Sequence, residues 1–222
     1  MPYRTTPLVD GQIYHIFNRG VADQPMFIYK RDCERFLQTL WFYHFVKPPV
    51  SFSKFNNLSQ KLKLEIEKQL SHLKPSVCLY VFCLMPNHFH LLLKQEAEGN
   101  ISSYVKNIID SYTKFFNIKY QRNGPVFQGQ FKAVRVSSDE QLTHLSRYIH
   151  LNPLTSYVVK DFEQLLNYPW ISLPQYLQNK EGLCDQSIIL KFFPSIEKYL
   201  EFLQDQVEYQ RELANIRHLT LE

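Results

Sequence analysis

Apolar positions along the chain fall into two periods, and each switch between them marks the start of a new element. "GQIYHIFNRG" (11–20) alternates and closes on Arg-Gly, which predicts a strand and a turn. In "KRDCERFLQTLWFYHFV" (30–46), Phe36, Leu37, Leu40, Trp41 and Phe45 recur at helical spacing. "KPPVSFSKFNN" breaks that pattern with two prolines. "LSQKLKLEIEKQLSHL" (58–73) then predicts a charged amphipathic helix with Leu62, Leu64, Ile66 and Leu70 as its stripe. "SVCLYVFCLM" (76–85) and "HFHLLLK" (88–94) predict two strands joined at Pro86-Asn87. Residues 100–117 return to helical spacing with Tyr104, Val105, Ile108, Ile109, Tyr112 and Phe116. "RNG" (122–124) is a turn signal, and "PVFQGQFKAVRV" (125–136) contains a further strand. Ser137 followed by Glu140 has the capping-box form and opens a helix over 139–152, where Pro153 is expected to stop it.

The order strand, helix, strand, strand, helix, strand, then a further helix is a split βαβ pattern. It predicts the α+β class: a ferredoxin-like βαββαβ core with an antiparallel sheet, an inserted helix and a C-terminal helical extension. The insertion falls at about 47–75. The expected division is one domain over 1–178 and a helical tail over 179–222.

Composition narrows the function classes. A chain of 222 residues with 6 glycines has room for a real core and is neither linker-rich nor disordered. The net charge of +4 points only weakly to a polyanionic partner, but its distribution is informative. Between Ile101 and Val136 stand six cations, Lys106, Lys114, Lys119, Arg122, Lys132 and Arg135, against the single anion Asp110. From Glu181 onward there are eight acids and four bases, so the positive potential belongs to the middle of the chain. Cys33, Cys78, Cys83 and Cys184 have neither CxxC nor zinc spacing and predict reduced thiols. "MPYRTTPLVDG" has no apolar signal region, and no apolar run is long enough for a bilayer. A soluble cytoplasmic protein with no membrane partner is expected.

The candidate chemistry starts in "LMPNHFHLLLK" (84–94). Alternation on a strand puts His88, His90 and Leu92 on one face and Phe89, Leu91 and Leu93 on the other. The Phe/Leu face can pack on helices. The His pair is then expected on an open sheet face, either chelating a divalent metal or simply half exposed. In "THLSRYIHLNPL" (143–154), Tyr148 and Asn152 are spaced i, i+4 on one helix face, with His144 one turn earlier. Leu142, Leu145 and Ile149 form the docking stripe beside them. Spacing alone allows either a catalytic tyrosine or a core tyrosine at the stripe's edge.

Taken together, "YHIFNRG", "PNHFHLLL", "NGPVFQGQFKAVRV", "RYIHLNPL" and "YPWIS" (168–172) resemble the REP-associated tyrosine transposases. These form part of the IS200-like branch of the HUH single-strand nucleases. The resemblance covers roughly residues 12–172 and leaves the insertion and the acidic tail unexplained. It implies a ferredoxin-like core in which His88 and His90 bind Mg²⁺ or Mn²⁺ with Asn152 as third ligand. It also implies Tyr148 as a nucleophile that forms a 5′-phosphotyrosine on single-stranded or hairpin DNA at palindromic repeats. A bacterial or archaeal, nucleoid-associated protein, monomeric or homodimeric, is expected from the same likeness. Arg19 by its place in "FNRG", Gln128 and Lys132 by theirs in "VFQGQFK", and Lys106, Lys114 and Arg135 by their charge are candidate DNA contacts. Phe127, Phe131, Tyr104 and Tyr112 are interleaved with these and read either as base-stacking rings or as core. The alternative function is a domesticated protein that binds hairpin DNA or RNA without cutting it. A hydrolase using water would leave Tyr148 without a role.

Overall fold

The computed structural model describes residues 7–45, 48–96, 100–178 and 182–207. Its strands are β1 (Ile13–Arg19), β2 (Val77–Met85), β3 (His88–Gln95) and β4 (Lys132–Val136). They form one antiparallel sheet in the order β4-β1-β3-β2. That is the ferredoxin-like arrangement: β1 and β2 flank β3, β3 and β4 flank β1, and helices make the crossovers. The crossing helices are α1 (Lys30–Tyr43) and α4 (Asn100–Lys119).

Alternation decides which side of the sheet these two helices cover. Phe89 meets Phe36 of α1 with ring centroids 5.0 Å apart, and Tyr112 of α4 packs on the same Phe36 at 5.3 Å. Leu91, Leu93, Tyr14 and Ile16 are fully buried with them. Phe127, Phe131, Tyr104 and Tyr112 are buried too, which assigns all four to the core. The turn beyond β1 is tight: a Cβ on Gly20 would lie 2.3 Å from the Gln24 carbonyl oxygen, so only glycine fits. That turn also grips the β2–β3 hairpin, with the amides of Met26 and Phe27 donating to the Pro86 carbonyl.

The insertion contains two helices. α2 (Phe52–Asn56) forms where the two prolines suggested only a break, and α3 (Gln60–Ser71) follows it. Phe52, Phe55 and Leu70 pack on Phe42 of α1 as a small separate core. Of the expected stripe on α3, Leu70 is buried and Ile66 partly so, while Leu62 and Leu64 are exposed. Only the end of α3 nearest α1 has a surface to lean on.

Helix α5 (Asp139–Thr155) lies on the other face of the sheet. Two details differ from expectation. Its N-cap is Ser138, which accepts from the Gln141 amide, one residue later than the expected Ser137/Glu140 box. The helix also runs through Pro153. A proline so near the C-terminus costs one backbone hydrogen bond, and burial of Leu151, Pro153, Leu154 and Thr155 offsets it. The last turn therefore keeps Asn152 in register with Tyr148.

The later helices α6 (Phe162–Leu166), α7 (Leu173–Gln178), α8 (Ser187–Leu190) and α9 (Ile196–Gln204) pack around α5 and the β2 edge. "YPWIS" pairs with that edge: Leu84 donates to the Trp170 carbonyl and Ser172 to the Phe82 carbonyl. A buried polar chain backs α5. His150 Nδ1 lies 2.8 Å from Tyr199 Oη of α9, and His150 Nε2 lies 2.7 Å from Ser172 Oγ. Tyr199 Oη donates onward to Ser146 Oγ. One tautomer satisfies every group, with His150 Nδ1–H donating to Tyr199 and Nε2 accepting from Ser172. Tyr199→Phe leaves that N–H buried without an acceptor, so a loss of about 1–3 kcal/mol is expected in urea unfolding. A loss below about 0.5 kcal/mol would mean that this chain does not hold α5.

Residues 208–222, the rest of the expected tail, lie outside the described residues. Among the described residues the four cysteines are unpaired, and no helix is long and apolar enough to cross a membrane.

Candidate active site

The β1–β3 register builds the site. Phe17 stands opposite His90, Arg19 opposite His88 and His15 opposite Leu92, so all of these share one face. On β4 the partners of that row are Lys132, opposite Phe17, and Val134, opposite His15. This face is not open as expected, because α5 lies across it. His90 is 5% exposed, and Leu92 is fully buried.

α5 presents Tyr148 and Asn152 to the histidines. The Tyr148 ring stands edge-on to His90 at 5.6 Å between centroids and to His15 at 6.3 Å. Asn152 Nδ2 is 3.5 Å from His90 Nε2. His88 and His90 are perpendicular neighbours at 4.9 Å. A cleft of about 420 Å³ opens over the group, lined by Phe17, Arg19, His88, His90, Gln128 and Tyr148 among others.

The hydrogen bonds leave one ring nitrogen of His88 unprotonated. His88 Nδ1 lies 2.7 Å from Asn87 Oδ1, which can only accept, so Nδ1 carries the proton and Nε2 keeps its lone pair. His90 Nδ1 lies 2.8 Å from His15 Nε2. Burial holds these rings neutral: His15 and His88 are lowered to about 4, and His90 goes well below its usual range. Asn152 Oδ1 is buried and makes no hydrogen bond of ordinary length, although the Asn152 amide interacts with His88, so a ligand could satisfy it. Among the described residues no three His, Cys, Asp or Glu side chains converge to hold a metal ion. Two neutral imidazoles and an amide oxygen could hold one, leaving coordination positions for phosphate. Such a mixed nitrogen and oxygen donor set would leave a metal ion open positions, unlike a closed four-ligand zinc site.

The candidate DNA contacts divide. Arg19, Gln128 and Lys132 line the cleft. Arg19 pairs with Asp23 at 3.1 Å, and Lys132 Nζ stands 5.9 Å from the Phe17 ring centroid. Arg135 does not join them: it stands opposite Tyr14, on the α1/α4 side of the sheet, and donates to Gln12 Oε1. Lys106 and Lys114 ride on α4, also across the sheet. Lys106 pairs with Asp110, and Lys114 lines a groove between α1 and α4. Their charge belongs to the same stretch of sequence but not to the same face. His144 accepts from Arg147 and lies edge-on to Phe202, beside α9 and away from the cleft. His15 was not among the sequence candidates; its signal was its place two residues before Phe17 on an alternating strand.

The neutral histidines fix a pH dependence. In the unfolded chain these rings take up protons near pH 6.5, whereas the folded protein holds His15 and His88 neutral to about 4 and His150 to about 3. The unfolded state thus binds more protons in that window, and stability falls as pH drops below about 6.5. Each ring contributes a slope of at most about 1.4 kcal/mol per pH unit. The melting temperature is expected to be flat above pH 7 and to fall between pH 6.5 and 5, above the carboxylate range. A flat profile there would contradict neutral burial.

Comparison with known proteins adds three findings. The family described as Transposase IS200 like matches residues 40–152. A solved structure described as a REP-associated tyrosine transposase bound to a REP hairpin aligns with a TM-score of 0.56. That alignment covers 83% of this chain and 94% of the other, at 12% identity. No curated protein matches in sequence.

Proposed function

The chain belongs to the IS200-like transposase family, and from that premise we propose that it is a metal-dependent endonuclease and strand transferase for single-stranded DNA at hairpin-forming repeats. The observation that carries this reading is the meeting of Tyr148 from α5 with His88 and His90 from β3 around one cleft, with Asn152 of α5 3.5 Å from His90. The TM-score match to a transposase bound to a REP hairpin supports hairpin DNA as the substrate class.

His88 Nε2, His90 Nε2 and Asn152 Oδ1 would hold Mg²⁺ or Mn²⁺. When bound, that ion polarises a phosphate oxygen and offsets charge in the transition state. Tyr148 Oη attacks the scissile phosphorus, and the P–O3′ bond breaks. Tyrosine loses its proton and the departing O3′ gains one, leaving a 3′-OH and a 5′-phosphotyrosine on Tyr148. A tyrosyl phosphodiester conserves the bond energy, so a second 3′-OH can attack it and restore the tyrosine without ATP. Arg19, Gln128 and Lys132 at the rim would hold flanking phosphates. Both halves of the site come from one chain, Tyr148 on α5 and the histidines on β3.

The test is a labelled single strand carrying a hairpin, incubated with the full chain and Mn²⁺ and run on a denaturing gel. A covalent adduct is expected with Mn²⁺ and should disappear with EDTA. Hairpin binding with no adduct at any metal concentration would leave a binding protein in place of the enzyme.

A further inference from the structure

We propose that His15 is a positioning residue for this site, an imidazole acceptor that fixes His90 in the tautomer whose Nε2 is unprotonated and can bind the cation. The inference rests on the metal-dependent reading above and adds a residue to it. His15 sits diagonally across the β1–β3 ladder from His90, on the same face. Its Nε2 is 2.8 Å from His90 Nδ1, and the two rings are stacked at 5.0 Å with planes 21° apart. Phe17 stacks on His15 at 4.9 Å, which limits rotation of the ring. His15 is 8% exposed, so water does not readily replace it as the partner of His90.

Two neutral imidazoles in a hydrogen bond share one proton, and its position decides what His90 can do. If His15 donated, neutral His90 would carry its own proton on Nε2 and could not offer that nitrogen to a metal. If His90 Nδ1–H donates, Nε2 presents its lone pair beside Asn152. Histidine ligands generally donate their second ring N–H to a carboxylate, a carbonyl or water, and loss of that partner costs about 10–100-fold in affinity. Here another imidazole takes the acceptor's place without adding negative charge to a cleft that receives phosphate.

Two measurements on the full chain test the assignment. Long-range ¹H–¹⁵N spectra of the metal-free protein should place the His90 proton on Nδ1, and His15→Phe should move it toward Nε2. Calorimetric titration with Mn²⁺ alone should show binding weakened about 10–100-fold in His15→Phe. His15→Gln, whose Oε1 can accept near the position of Nε2, should recover most of it. A wild-type His90 protonated on Nε2 overturns the assignment without any variant. Wild-type Mn²⁺ binding that survives within about twofold in His15→Phe overturns the positioning role alone. A wild type that binds no Mn²⁺ overturns the metal site and takes the positioning role with it.

Discussion

Tyr148→Phe should abolish the covalent adduct and lower strand cleavage by at least about 10⁴-fold, the scale seen when an enzyme loses its nucleophile. The change removes one oxygen and keeps the ring that stands edge-on to His90, so the cleft keeps its shape. Hairpin affinity should stay within about threefold, because the rim residues Arg19, Gln128 and Lys132 are untouched. The melting temperature should move by only a few degrees. Cleavage that persists in this variant would mean that water is the nucleophile, and the phosphotyrosine mechanism would be wrong.

His90→Ala should cut the rate on the order of 10³-fold, because a metal's stabilisation of transition-state charge is worth several kcal/mol. This variant should also lose stability, unlike Tyr148→Phe. His90 is buried against His15, and its removal leaves His15 Nε2 without its partner, at a cost of about 1–3 kcal/mol. Hairpin binding in EDTA should largely survive. If binding and folding are lost together, His90 is chiefly a structural residue. Full cleavage in a folded His90→Ala protein would remove β3 from the mechanism.

The sequence was most legible where a period of two or of 3.6 is uninterrupted. The alternation in "HFHLLLK" separated Phe89 from His90, and the i, i+4 spacing brought Tyr148 to Asn152. It was least legible where the outcome depends on which strands become neighbours. Nothing within β1 says that Phe17 will stand opposite His90, so the partnership of His15 with His90 could not be read locally. The same gap made the histidine face look open, because α5's docking there is a tertiary event. Charge clustering misled for a related reason. Lys106, Lys114 and Arg135 share a stretch of sequence with Lys132, but a helix and strand parity carry them to the other side of the sheet. Pro153 followed a local rule that packing overrode, since the last turn of α5 is buried.

The support behind α5 has a consequence for copies of this chain that are cut short. The family match ends at residue 152, yet the helix that carries Tyr148 and Asn152 leans on Ser172 and Tyr199. A shortened copy that stops after α7 would still contain both histidines, the tyrosine and the asparagine. It would lack Tyr199, the hydrogen-bond partner of His150 Nδ1 and Ser146 on the back of α5. Such a copy would keep every residue of the proposed site and lose contacts behind α5 that no motif names.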